Sequence, residues 1–277
     1  MALSEACRNI RKNYLFHWSV RGGLLLRLAY LTAYYSIYII FRRGDRHLRC
    51  LDWLKRSGFS DIPIEVETPE HVRLRLDLHT AFDPLHSIIG DRDYEQVEGF
   101  RPSAGQVIVD AGANVGIFTT LAARRVGESG LIVAIEPHPD NFGMLAGNVA
   151  RNGLGNVRLV RIALEERSGS ADLFVHERGI NHSLKRRTGR SIPVELKTVD
   201  QVVVEQKLER VDLIKIDTEG NVPAILRGAQ QTLRRHRPRI VFERDSEEES
   251  RGLKELFAEF RYDSQDLRCF TYASPQA

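Results

Sequence analysis

Apolar positions follow three successive spacings along the chain. Up to about residue 60 they recur with a helical pattern, and residues 22 to 41 form an apolar, tyrosine-rich run whose single charge is Arg27. Between 62 and 78, Ile64, Val66, Val72, Leu74, Leu76 and Leu78 alternate with polar residues, the period-two signal of a half-exposed hairpin turning near Thr68 and Pro69. From residue 107 onward the pattern is different again. Short continuous runs, Val107 to Val109, Leu131 to Ile135, Val157 to Ile162, Val211 to Asp217 and Arg239 to Glu243, alternate with helical stretches. Unbroken β-branched runs are what strands covered on both faces require, so this half predicts a doubly wound, mostly parallel α/β sheet.

The remaining segments fit around that frame. Asp91 to Phe100 reads as a short helix, and Phe118 to Arg125 as a crossover helix closed by Gly127 and Gly130. Ala171 to Val175 and Ile192 to Leu196 read as extra strands flanking a basic loop, and 261 to 272 as a closing antiparallel pair. The turn-rich stretch Ser57 to Pro63 suggests a boundary, giving a helical extension over 1–60 and a domain over 61–277 with its core at 94–243.

The chemistry concentrates at the strand ends. Asp110 closes the first buried strand and leads into Gly112, Asn114 and Gly116, while Glu136 closes the second, twenty-six positions later. A dinucleotide site would need glycines where this chain has Asn114 and Ile117, and a carboxylate suits a pyrophosphate poorly. Asp110 suits instead a ligand with an amino group and a sulfonium, which describes S-adenosylmethionine, and Glu136 is placed to accept both ribose hydroxyls. Asn114 either holds the loop or meets the methionine carboxylate; Ala163, after the third strand, leaves room for an adenine or is plain core. Lys215 lies within an apolar strand and needs a partner, for which Asp217 is available on the same face.

These segments resemble the FkbM-type methyltransferases, a branch of the class I S-adenosylmethionine-dependent enzymes. The likeness runs from about Tyr94 to Glu243 and rests on Asp110 to Gly116, Glu136 to Asn141, Lys215 to Gly220 and Leu226 to Ala229. It implies a Rossmann-like sheet of seven strands, donor binding at Asp110, Gly112, Asn114, Gly116 and Glu136, and methyl transfer to a hydroxyl of a small molecule, sugar or lipid-linked glycan. Members of that family commonly carry a second acid two residues after the Glu-Gly pair, where this chain has Val222, so any role of that acid is absent or filled elsewhere.

Transfer to oxygen needs alignment and a group that removes the acceptor's proton. Asp217 and Glu219, two residues apart at the end of the fourth core strand, are the leading candidates, with capping of the next helix as their alternative role. Pairing with Lys215 would weaken Asp217 as a base and favour Glu219. His182, in the segment 179–184, is the third candidate. Lys185, Arg186, Arg187 and Arg190 follow it and would suit an anionic acceptor or a solvated loop. Two carboxylates are too few to assert a metal.

Overall composition narrows the rest. A net charge of +3 over 277 residues does not point to a nucleic-acid partner, although an RNA methyltransferase and a noncatalytic donor-binding module stay as rivals. Three scattered cysteines support neither disulfides nor zinc and fit a reducing cytoplasm. Basic residues flank the 22–41 run on both sides, which favours a helix packed on protein, or one lying in a membrane surface, over a spanning one.

Overall fold

A computed structural model describes residues 20–21, 64–76, 88, 93–175, 190–218, 221–244 and 247–276, and the chain forms two compact units, Met1–Asp91 and Arg92–Ala277. In the first unit, β1 (Val20–Arg21), β2 (Ile64–Glu67) and β3 (Arg73–Leu76) pair antiparallel in that order. The alternation read from the sequence is the cause: Val66, Val72, Leu74 and Leu76 are buried while Glu65, Arg73 and Arg75 face solvent. Thr68 and His71 close the turn, with the Thr68 amide donating to the Val72 carbonyl at 2.9 Å. One expectation is corrected here. Val20–Arg21, inside the stretch read as helical, is a strand because it pairs with the free edge of β2, Val20 opposite Val66. The apolar run 22–41 lies outside the described residues, among which no helix is long and apolar enough to cross a membrane.

The second unit is built on β4 (Val107–Ala111), β5 (Leu131–Ile135), β6 (Val157–Val160), β10 (Leu213–Ile216), β11 (Arg239–Glu243), β12 (Tyr262–Leu267) and β13 (Phe270–Pro275). Their order is β12-β13-β11-β10-β4-β5-β6, with every pairing parallel except the two made by β13. The doubly wound sheet of seven strands is therefore present, and the closing antiparallel pair is the C-terminal tail. Helices α1 (Ile117–Val126), α2 (Pro139–Arg151), α3 (Val199–Glu205), α4 (Val222–Arg227), α5 (Gln230–His236) and α6 (Glu247–Glu259) flank it. Val109, Val133, Ile214, Ile216, Ile240 and Phe242 form the core of the sheet, with Ile225, Leu226 and Leu233 packed against them.

Two elements differ from expectation. The helix expected over 91–100 is a single turn, Asp93–Glu95, because Gly99 adopts φ 87 and Tyr94 and Phe100 both turn inward. The third strand stops at Val160; Arg161 faces solvent, and β7 (Ala163–Leu164) leaves for a second sheet, β7-β9-β8, with β8 (Gly169–Val175) and β9 (Arg190–Lys197) as a hairpin. The chain winds from β4 outward through β5 and β6, then returns to lay β10 on the other side of β4. A cleft opens beyond the carboxyl ends of strands where winding reverses in this way.

Candidate active site

Three acids end three neighbouring strands: Asp110 in β4, Glu136 after β5 and Asp217 after β10. Beside them a cavity encloses about 730 Å³, counting the part open to solvent. One wall is Gly112 and Asn114 from the loop after β4, with Glu136, Pro137 and Asn141. Ile162, Ala163, Leu164 and Leu173 line it from the side of the second sheet, and Asp217, Thr218 and Asn221 close it.

The loop geometry explains its residues. The amides of Gly112 and Ala113 both donate to the Ile135 carbonyl, at 3.0 and 2.9 Å, which ties the loop to β5. Gly112 sits at φ 77, and a Cβ there would lie 2.0 Å from the Asp217 carbonyl oxygen, so only glycine lets the two strand ends approach this closely. Asn114 adopts φ 51, a left-handed conformation asparagine tolerates, and its amide donates to Glu136 Oε2 at 2.9 Å. The His138 amide donates to Glu136 Oε1 at 2.9 Å. Burial nevertheless pushes the Glu136 carboxyl up to about 7, outweighing those two amides and the Lys215 charge.

Asp110 takes a different place from the one expected. It is fully buried and absent from the cavity wall, with Thr119 donating to Oδ2 at 2.5 Å and Lys215 Nζ 3.0 Å from Oδ1. Lys215 does pair with Asp217, at 3.9 Å, and has a nearer partner that spacing along the chain does not show: Asp110, its register partner on the adjacent strand. Lys215 further donates to the Gly112 carbonyl at 2.8 Å, so Asp110 supports the cavity loop from beneath through the ammonium. Burial alone would lower the lysine; Asp110, Asp217 and Glu136 outweigh it and hold its pKa above the ordinary value. Gly116 likewise stands off the cavity, where a Cβ would meet Leu145 Cδ1 at 2.6 Å, so it allows α1 to pack on α2. Of the residues expected to bind the donor, the structure gathers Gly112, Asn114, Glu136 and Ala163 on one cavity.

Asp217 lines the cavity with its side chain 34% exposed, and Tyr94 donates to its Oδ2 at 2.6 Å. Sequence reasoning missed Tyr94. It lies 123 positions from Asp217 in a one-turn element, and no local spacing marks it. Glu219 and His182 lie outside the described residues. Val222 is buried in the core at the start of α4, so a carboxylate at that position would sit among apolar side chains.

Whether the cavity fits the expected donor is tested by its polar atoms. Asn114 Oδ1, Thr218 Oγ1 and Asn221 Oδ1 are buried and have no hydrogen-bond partner among the described residues. Buried oxygens are normally paired, so three of them on the wall of one cavity fit a ligand that brings amino and hydroxyl groups, as S-adenosylmethionine does. Among the described residues no group of three His, Cys, Asp or Glu could hold a metal ion.

A seven-stranded sheet in this order, with a glycine-bearing loop at its switch point, defines the class I, Rossmann-like methyltransferase fold. Residues 110–264 match the methyltransferase FkbM domain, and the chain belongs to that family, whose methyl donor is S-adenosylmethionine. It is 30% identical to methyltransferase sdnD of Sordaria araneosa over 45% of this chain and 60% of that protein. It is also 23% identical to the hexuronic acid methyltransferase AglP of Haloferax volcanii, over 67% of this chain and 76% of that one. The match to methyltransferase 1 of Beauveria bassiana, 28% identical, covers 44% of this chain and 57% of that one, so the chain spans less than two thirds of that relative and of sdnD. A solved FkbM methyltransferase from Methylobacillus flagellatus KT overlays with a TM-score of 0.49 at 15% identity, covering 98% of this chain and 60% of that chain.

Proposed function

We propose that the chain transfers a methyl group from S-adenosylmethionine to a hydroxyl oxygen of a small molecule, sugar or lipid-linked glycan. The observation that carries this reading is the cavity at the switch point, lined together by the Gly112 and Asn114 loop, Glu136 and Asp217. Gly112 and Asn114 hold the methionine end of the donor, Glu136 accepts from the ribose hydroxyls, and Ala163 leaves space for the adenine ring. When bound, the donor supplies a methyl already activated by its sulfonium. The residues are left with alignment and proton removal.

Asp217 is the described group placed for that removal. It reaches the cavity, and the oxygen not held by Tyr94 accepts the hydroxyl proton as the acceptor oxygen gains its methyl. Glu219 and His182 are the other two candidates for the same proton. The ammonium of Lys215 lies 3.0 Å from Asp110 and 3.9 Å from Asp217, so its closer contact is with the acid off the cavity. The likeness to AglP supports a sugar acid as the first acceptor to try. Incubation with methyl-labelled S-adenosylmethionine and a panel of uronic-acid oligosaccharides and hydroxylated small molecules tests the reading. Label in a base-stable methyl ether is expected. Label confined to RNA, or donor binding with no product from any acceptor, would overturn it.

A further inference from the structure

We propose that Tyr94 is a positioning residue for this reaction, clamping one oxygen of Asp217 so that the other is presented to the cavity. The proposal rests on the reading of Asp217 given above. Three contacts fix the tyrosine so that only its hydroxyl has a polar task. The ring meets Phe118 edge-on at 5.4 Å and Phe270 at 5.2 Å, and Lys215 Nζ lies 5.2 Å from its centroid. Helix α1, strand β13 and strand β10 thus hold one ring between them, and Tyr94 is 4% exposed.

The hydrogen bond has a defined polarity. Burial, and next to it the charge of Asp217, raise the phenol well above its ordinary pKa, so Tyr94 stays a donor at any working pH. Asp217 Oδ2 receives this bond at 2.6 Å and lies 3.9 Å from Lys215. The carboxylate cannot swing without breaking the bond and leaving the hydroxyl of the buried Tyr94 without its partner, which is costly. Asp110, Glu136 and Glu243, all acids, also act on Tyr94 or Lys215, and the Lys215 ammonium offsets Asp110, Asp217 and Glu136. A tyrosine that merely filled space could be phenylalanine, since both ring contacts would survive; the hydroxyl is explained by the carboxylate it touches.

The test needs no acceptor. Asp217 is followed by carbon NMR of the full chain labelled at aspartate carboxyls, its signal assigned by loss in Asp217→Asn. In Tyr94→Phe, removal of a donor to the charged form is expected to move the Asp217 titration up by about one pH unit. Replacing Tyr94 with 3-fluorotyrosine, a more acidic donor of nearly the same shape, is expected to move it down. Opposite shifts support the clamp even if Tyr94→Phe costs stability. A titration unmoved in both, or moved in the same direction, would overturn it. Affinity for S-adenosylhomocysteine, measured by calorimetry, is expected to stay within about twofold in both variants, because Tyr94 is absent from the cavity wall. Failure of the native chain to bind that probe would count against the donor site and leave the clamp to the titration.

Discussion

Asp110 and Lys215 are register partners on adjacent parallel strands, and their charged atoms meet 3.0 Å apart with 0% and 2% of the side chains exposed. An ion pair buried this completely contributes little over an apolar pair of equal volume, but breaking it leaves a bare charge in the core. Lys215→Met is therefore expected to destabilise the chain by about 3–5 kcal/mol, and adding Asp110→Leu to recover a large part of that loss. Urea denaturation of the two single variants and the double variant measures the coupling. Additive losses would mean that the two charges do not compensate one another.

The Glu136 carboxyl, raised by burial to about 7 from an ordinary value of 4.5, predicts the pH dependence of stability. Between those values the folded chain binds more protons than the unfolded chain, so the contribution is present below the lower value and is lost as pH rises through the upper one. The full span corresponds to about 3 kcal/mol. His138, lowered by its own burial, titrates with the opposite sign, so the difference between native chain and Glu136→Gln is the informative quantity. Stability measured by urea without donor is expected to fall relative to that variant from pH 5 to pH 8. A difference that stays level across this range would place the carboxyl in water.

Much of this was legible beforehand, and the misses share one cause. Strand β5 was readable to the residue, because Leu131 to Ile135 is a pure apolar run bounded by Gly130 and Glu136. Glu136 and Asp217 are legible as cleft residues because winding order alone sends those strand ends there, whereas Asp110, on the strand between them, is fully buried off the cavity wall. What local pattern cannot report is the partner across the sheet. Spacing along the chain offers Lys215 the acid two positions away, while the nearer acid, Asp110, stands opposite it on the adjacent strand, its oxygens beside Lys215 and Thr119 and off the cavity wall. Tyr94 escaped notice for the same reason, since its role exists only once α1, β10 and β13 are assembled around it.

Gly112 should be the least replaceable glycine of the loop. Alanine there carries both a left-handed backbone and a Cβ 2.0 Å from the Asp217 carbonyl, and the obstacle is backbone that cannot rotate away. Gly112→Ala is expected to cost roughly 3 kcal/mol or more and to weaken S-adenosylhomocysteine binding beyond what the unfolded fraction explains. Gly127→Ala is the control: its backbone is strained for alanine at φ 66 and ψ −172 but nothing lies within 4 Å of its Cβ, so it should cost about 1–3 kcal/mol from conformation alone and leave binding unchanged. Equal losses in the two variants would show that conformation, and not the close approach, sets the requirement.

Thr218 separates a ligand-directed group from a structural one. Its Oγ1 is buried without a partner among the described residues and stands on the cavity wall, so the free protein bears the cost of drying it and gains no bond in return. Valine has nearly the same shape without the hydroxyl. Thr218→Val is therefore expected to leave the unliganded chain as stable as before, or more stable by about 1 kcal/mol. If the hydroxyl serves the donor, the same change should weaken S-adenosylhomocysteine by roughly fivefold to tenfold, the equivalent of about 1 kcal/mol of lost hydrogen bonding. The two effects have opposite signs, which a packing defect cannot produce, since that would lower stability and affinity together. Denaturation and calorimetry on one preparation decide between them; unchanged affinity would remove Thr218 from the donor site and leave its hydroxyl for the acceptor.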